Sequence, residues 1–333
     1  MRIAIVGITG LVGEEMLKCI TDLCIKYTEL YFFASRKSAG KIIIYNNKNY
    51  IINEVKKNSF KNIDIALFAI SSELSKKYSV YARLHNCLVI DNSSAFRLDK
   101  DVPLIVPEVN SAHIKNNNGI IANPNCSTIL MCVVLNNLHK NFGIERIVVS
   151  TYQAASGAGR KGIIELERQA CEFMKGIQIF EDNIFGRQYL WNIFSHNSEI
   201  TDNGYNEEEM KMINETKKIL NDDNIKISAT CIRVPVFRSH CESINITFKN
   251  EVSEELLRET LINSEGIELL DDRINNMFPE PIITSNKHNV YVGRIRHDLS
   301  QKKNYGYEMF ISGDQILKGA ALNTIQILNK MIN

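Results

Sequence analysis

The chain has no Cys-x-x-Cys pair, and its eight cysteines (Cys19, Cys24, Cys87, Cys126, Cys132, Cys171, Cys231 and Cys241) are scattered along 333 residues. That spacing offers neither a disulfide framework nor a zinc site and reads as reduced thiols in a cytoplasm. An excess of charge is missing as well, since 39 lysines and arginines stand against 38 aspartates and glutamates. No overall field is available to hold nucleic acid or an anionic membrane, so any anion site must be local. No uninterrupted apolar run approaches the roughly 20 residues of a membrane-spanning helix. The opening MRIAIVGITGLVG has a short apolar run broken by Gly7 and Gly10 with no small-residue cleavage site after it, so an export signal is not expected. Repeats and low-complexity blocks are also missing. With 44% hydrophobic and 23% charged residues, the composition is that of a folded globular chain rather than a disordered or fibrous one.

What is present is enough chain for two domains, at roughly 100–200 residues each. Strand-length apolar runs at 2–6 (RIAIV), 30–35, 63–70, 88–91 and 119–123 are separated by amphipathic stretches such as LVGEEMLKCI and ELSKKYSVYARLH. That alternation predicts an α/β fold, a parallel sheet wrapped by helices. Residues 127–142 (STILMCVVLNNLHKNF) predict the helix that follows its last strand. Beyond it, β-branched runs at 146–153, 227–236, 242–248, 290–298 and 305–312 predict a larger, mostly antiparallel second sheet. The terminal helix pattern, DQILKGAALNTIQILNKM, returns to the first domain. The expected division is 1–127 plus 314–333 for one domain and 128–313 for the other.

Gly7, Gly10 and Gly13 in GITGLVG lie between the first strand and the first helix. This is where a phosphate cradle forms, because glycines let the backbone approach a pyrophosphate and the helix N-terminus presents free N–H groups. The spacing is Gly-x-x-Gly-x-x-Gly, and a tight turn alone would also use three glycines. The second strand ends in Ser35-Arg36-Lys37-Ser38, and basic residues at that position suit the 2′-phosphate of NADP over the ribose hydroxyl of NAD.

Asn123-Pro124-Asn125-Cys126 places a cysteine at the start of a predicted helix, where the dipole favours the thiolate that a nucleophile needs. A buried cysteine acting as a small hydrophobe fits the same segment. His240, at a strand end with Arg233 nearby in sequence, is the best placed of seven histidines for proton transfer, although a lone histidine also serves structure. Gln153, in the turn STYQAASGAG, could orient a carbonyl or make a turn hydrogen bond. Arg97 and Lys211 suggest an anionic substrate. Glu208 and Lys211, at i and i+3, read locally as a weak surface pair.

Taken in order, GITGLVG, SAGK, DNSSAFR, VPLIVPEVN, NPNCSTI, STYQAASGAG, NGYNEEEMKM, CIRVPVFRSH and LKGAALNTIQI resemble bacterial aspartate-β-semialdehyde dehydrogenase along essentially the whole chain. The resemblance implies a homodimer with a Rossmann-like NADP domain and an α+β catalytic and dimerisation domain. It also implies reduction of aspartyl phosphate to aspartate semialdehyde, on the route to lysine, threonine and methionine. Small-molecule substrates, and neither nucleic acid, membrane nor metal, are its expected partners. By motif, Cys126 becomes the acyl-accepting nucleophile, His240 the acid/base and Gln153 an orienting residue. Arg233 and Glu208 hold the amino acid end of the substrate, and Arg97, Asn125 and Lys211 its phosphate. Cofactor contacts are implied for Gly7, Thr9, Gly10, Leu11, Val12, Gly13, Ser35, Arg36, Lys37, Ser38, Ser72, Ser156, Gly157, Gly159 and Asn323.

The chain departs from the pattern at Ile8, where alanine is usual, and near Ser71, where a glycine is expected. Lys37 stands for an arginine and supplies charge without a bidentate fork, which predicts a weaker preference for NADP. The segment QYLWNIFSHNSEI matches only loosely. N-acetyl-glutamyl-phosphate reductase shares the dinucleotide domain and the cysteine, but the EEMK helix and CIRVPV strand favour the first reading. A dinucleotide-binding regulatory protein without activity is the alternative of another class. Against it stands the presence of every catalytic residue type.

Overall fold

A computed structural model describes residues 1–178 and 184–332. The chain divides into two compact units, Met1–Asn125 with Ala320–Asn333, and Cys126–Gly319. The breaks fall at 125/126 and 319/320, against 127/128 and 313/314 in the sequence reading.

The first unit begins β1 (Arg2–Val6), α1 (Leu11–Asp22) and β2 (Glu29–Ala34), continues through β3 (Ile42–Tyr45), β4 (Lys48–Ile51), β5 (Asn53–Glu54) and β6 (Ile65–Phe68), then α2 (Ser72–Arg83), β7 (Leu88–Asp91), α3 (Pro107–Asn110) and β8 (Ile120–Ala122). Six strands form one sheet in the order β5-β2-β1-β6-β7-β8, and every pairing in it is parallel. The near-continuous apolar strands follow from burial on both faces, as in Ile3, Ala4, Ile5 and Val6 of β1. Strand order reverses at β1, between β2 and β6, and the carboxyl ends of these strands are where a doubly wound sheet offers its binding crevice. The Asn46-Asn47 turn, both residues at positive φ, joins β3 to β4 as an antiparallel hairpin whose primed-type geometry asparagine tolerates.

The second unit carries α4 (Cys126–Phe142), β9 (Ile144–Gln153), α5 (Arg160–Met174), β10 (Phe194–Ser195), α6 (Glu207–Leu220), β11 (Lys226–Arg233), β12 (His240–Phe248), α7 (Glu254–Ile262), β13 (Ile267–Leu269), α8 (Pro281–Thr284), β14 (Val290–His297) and β15 (Gly306–Gly313). Its seven-stranded sheet runs β10-β11-β9-β12-β15-β14-β13. Among the described strands only β11–β9 and β14–β13 are parallel, so the sheet is mixed and mostly antiparallel, as the β-branched runs predicted. Alternation along β9 sends Ile147, Val149, Thr151 and Gln153 inward, and α4, packed against α6 and α7, lies on the sheet. A capping box between Asn206 and Glu209 starts α6, fixing where Glu208 and Lys211 begin. After β15 a π-helical turn (Leu317–Ala321) leads to α9 (Leu322–Ile332) of the first unit, where α9 packs beside α1.

Glu242, on the inward face of β12, has no exposed surface, and neither carboxylate oxygen has a hydrogen-bond partner among the described residues. Burial alone raises its pKa well above the ordinary glutamate value, and its titratable neighbours include the thiols of Cys132, Cys231 and Cys241. Below about pH 4.3 both folded and unfolded chains hold this proton. Above that the unfolded chain releases it while the folded one keeps it, so the unfolded state binds fewer protons and stability falls as pH rises, by about 1.4 kcal/mol per pH unit until the raised folded value is reached. Glu242→Gln is expected to remove this slope. Urea denaturation of both proteins between pH 5 and 8 checks it, and a difference in stability that does not change with pH would show that Glu242 folds already ionised.

Candidate active site

In the first unit the glycine turn is required by contact as well as by conformation. Gly7 has φ +94°, and a Cβ there would lie 2.2 Å from the carbonyl oxygen of Ala69; a Cβ on Gly13 would lie 2.4 Å from that of Gly7. Glycine at these positions lets β1, the strand–helix turn and the loop after β6 meet. Gly10 is the N-cap of α1, and no side chain of the described residues caps that helix. The N–H groups of its first turn, at Leu11, Val12 and Gly13, are therefore available to an anion. Thr9 and Gly10 are exposed, while Ile8, the bulky departure, is turned inward and fully buried.

At the end of β2, Ser35, Arg36 and Lys37 are exposed on a turn closed by the Ser38 N–H to the Ser35 carbonyl at 2.9 Å. Ser72 pairs with Ser94 at 2.9 Å. Arg97 is buried and donates to the carbonyls of Asn123 (2.9 Å) and Asn92 (2.8 Å), which braces the loop ending at Asn125. Asn323 has no exposed surface. Its amide nitrogen is engaged by the Ile105 carbonyl at 2.9 Å and by Asn123 Oδ1 at 2.7 Å, so in this structure it supports the same loop.

The second unit gathers the remaining candidates. Cys126 is the first residue of α4 and half-buried. Gln153, at the end of β9, donates through Nε2 to Ser127 Oγ at 2.9 Å and to Glu208 Oε1 at 3.2 Å. One amide thus ties the strand to the turn of the cysteine and to α6. Glu208 is itself buried and accepts from Lys211 Nζ at 3.2 Å. The pair that local spacing reads as surface decoration therefore belongs to this cluster.

Arg233, at the end of β11, is 5% exposed. Its Nη1 reaches the Ala154 carbonyl at 3.3 Å and its guanidinium lies 5.9 Å from the Phe185 ring centre. Burial pulls its pKa below the ordinary value, with the carboxylate of Glu208 and the Cys126 thiol among the groups acting in the other direction.

His240, at the start of β12, is 1% exposed. The Ala154 N–H donates to its Nδ1 at 3.0 Å, so a neutral ring carries its proton on Nε2. That nitrogen has no partner among the described residues. Burial, reinforced by Arg233, pushes the imidazole pKa down to about 3, so it is neutral near pH 7 and presents a donor. To act as a base it must first exchange the roles of its nitrogens.

The turn after β9 brings Ser156, Gly157 and Gly159 into this unit. Ser156 Oγ accepts from Gln315 Nε2, and Gly157 lies against Arg233 and His240. Two residues here escaped the sequence reading. His196, held at about 4 by burial and then by Arg233, is electrostatically coupled to Arg233, Glu208 and Lys211. Tyr189 is fully buried and donates to the Val234 carbonyl at 2.5 Å, pinning the backbone next to Arg233. Both lie in the loosely matched QYLWNIFSHNSEI segment, where only long-range contacts reveal them. Among the described residues no group of three or more His, Cys, Asp or Glu is placed to hold a metal, and no helix is long and apolar enough to cross a membrane.

Known proteins resemble this chain over its whole length. Residues 2–117 match the family described as semialdehyde dehydrogenase, NAD binding domain, and residues 135–318 match the semialdehyde dehydrogenase dimerisation domain. Aspartate-semialdehyde dehydrogenase of Aquifex aeolicus is 44% identical, over 99% of this chain and 98% of that protein. The Prochlorococcus marinus enzyme of the same name is 42% identical, over 100% and 96%. The crystal structure of aspartate semialdehyde dehydrogenase II from Vibrio cholerae, complexed with ASA, superposes with a TM-score of 0.95 at 40% identity, over 99% of this chain and 98% of that one. With a glycine-lined dinucleotide unit and a second unit that carries a cysteine at a helix start together with buried arginine and histidine, the chain belongs to the aspartate-semialdehyde dehydrogenase family.

Proposed function

We propose that the protein reduces L-aspartyl-4-phosphate to L-aspartate 4-semialdehyde with NADPH, through a thioester on Cys126. This would supply lysine, threonine and methionine biosynthesis in the cytoplasm. The observation that carries the reading is the convergence of Cys126, Gln153, Glu208, Arg233 and His240 in one unit, with Gln153 bonded to both Ser127 and Glu208. The glycine turn, the uncapped first turn of α1 and the exposed Arg36 and Lys37 fit the pyrophosphate and 2′-phosphate of NADP. Arg97, Asn125 and Lys211 are assigned to the substrate phosphate.

Cys126 Sγ attacks the acyl carbon, forming an S–C bond, and the C–O bond to phosphate breaks as phosphate leaves against its cations. When bound, NADPH supplies the hydride that reduces the resulting thioester. The Nε2–H of His240 supports the oxyanion that develops on that carbon, and collapse breaks the C–S bond to release aldehyde and thiolate. Arg233 and Glu208 hold the α-carboxylate and α-amino groups throughout. A homodimer is proposed through the second unit, where the half-buried Val148, Ser150 and Tyr152 line the face of β9 opposite its buried residues.

The test is NADPH formation from aspartate semialdehyde and inorganic phosphate, run beside N-acetylglutamate semialdehyde and with NAD replacing NADP. Phosphate-dependent turnover of the first substrate with NADP is expected. Turnover of only the N-acetylated substrate would overturn the substrate assignment, and equal or greater efficiency with NAD would overturn the cofactor.

A further inference from the structure

Gly157 lies in the turn joining β9 to α5, within a segment for which the family resemblance implies cofactor contact. Its φ is outside the left-handed region, so backbone conformation alone does not require glycine there. What the position excludes is a side chain. A Cβ on Gly157 would sit 2.8 Å from Arg233 Nη1, 3.1 Å from His240 Cε1 and 3.2 Å from His240 Nε2, well inside the roughly 3.5–4.0 Å of a comfortable contact. Both neighbours are more than nine-tenths buried.

Neither neighbour can move away without loss. Arg233 Nη1 is held by the Ala154 carbonyl at 3.3 Å, and its guanidinium has the Phe185 ring 5.9 Å away. The His240 ring is held by the Ala154 N–H at 3.0 Å. One peptide residue thus anchors both side chains, and the Gly157 N–H returns to the same Ala154 carbonyl at 3.1 Å. His240 Nε2, buried and without a partner among the described residues, faces the space that the missing Cβ leaves.

We propose that Gly157 is a specificity-determining residue for the substrate: its lack of a side chain keeps open the chamber between Arg233 and His240 that takes the amino acid end of the semialdehyde. This rests on the activity proposed above, in which Arg233 binds the α-carboxylate and His240 acts at the reacting carbon. A methyl group at 157 occupies that chamber or displaces the guanidinium. Substrates that carry an α-carboxylate lose most, and a short aldehyde without one loses least.

Gly157→Ala in the full-length protein tests this, with NADPH affinity measured by fluorescence titration and kinetics on aspartate semialdehyde and on propanal. The expected result is a KM for aspartate semialdehyde at least tenfold higher, a preference over propanal at least tenfold lower, and an NADPH Kd within twofold of the parent. Weakened NADPH binding with an unchanged KM would make Gly157 a cofactor contact and overturn the proposal. In an Arg233→Ala background the same substitution should change KM less than threefold, because the closest atom it strikes, Arg233 Nη1, is gone. If Gly157→Ala fails to fold alone but folds beside Arg233→Ala, the clash is supported; failure in both backgrounds overturns it. A parent protein that binds NADPH yet leaves aspartate semialdehyde untouched would instead defeat the activity reading, and is told apart by the parent assay.

Discussion

Cys126→Ser is expected to lower kcat by about a thousandfold or more while NADPH affinity and melting temperature stay close to the parent. The argument is chemical. The dipole and first-turn N–H groups at the start of α4 favour a thiolate there, whereas a serine hydroxyl, intrinsically far less acidic, stays protonated and is a poor nucleophile. His240 cannot rescue it as it stands, because its available nitrogen carries the proton, fixed by the Ala154 N–H on the other side. Seven other cysteines remain in the variant, so the readout must be specific to this one. Mass spectrometry after brief iodoacetamide treatment should find modification of the parent at Cys126 first, and bound aspartate semialdehyde should protect it. A serine variant turning over at the parental rate would remove the thioester from the mechanism.

The sequence conveyed the proposed nucleophile through its surroundings more than its identity. Asn-Pro-Asn before a cysteine and an apolar helical pattern after it are local signals, and the structure starts α4 at Cys126. The central strands of the first unit were legible for the same reason: burial on both faces leaves continuous apolar runs, and the glycine turn follows β1 directly. The β3–β4 hairpin gave no strand signal in the sequence, because its strands carry exposed Ile42, Ile44 and Ile51 and no alternation of apolar and polar residues.

What stayed hidden depends on chain crossings far apart in sequence. Glu208 and Lys211 have the spacing of an ordinary helical surface pair, and it takes a bond from Gln153, 55 residues from Glu208, to show that they belong to the site. Arg233 and His240 carry no mark of being held by one residue, Ala154, some 80 positions earlier. The donor state of His240 follows from that contact and has no local signal in the sequence. His196 and Tyr189 sit where the family pattern is weakest, so resemblance was silent where the packing is informative.

The π-helical turn was equally invisible, and it carries the second large effect. A Cβ on Gly319 would lie 2.8 Å from the Cβ of Cys126 and 3.2 Å from its Cα, so the backbone of the turn touches the proposed nucleophile where a side chain would clash. The turn is not free to recede. The Gly319 N–H bonds the Asp314 carbonyl at 3.0 Å, and the buried Asp314 carboxylate takes the N–H groups of Ile316 and Leu317 and pairs with Arg238 at 2.6 Å. Gly319→Ala must therefore push the start of α4, and a displacement near 1 Å at the attacking atom costs about a hundredfold. Overpacking of this kind also lowers stability by about 1–3 kcal/mol. The expected signature is a kcat about a hundredfold lower with KM for aspartate semialdehyde nearly unchanged, and slower or faster alkylation of Cys126 at fixed pH. Gly157→Ala predicts the opposite split, with KM raised, so the two glycines separate nucleophile placement from substrate fit in one pair of assays. A Gly319→Ala enzyme with parental kcat and alkylation rate would show that α4 absorbs the added methyl without moving Sγ.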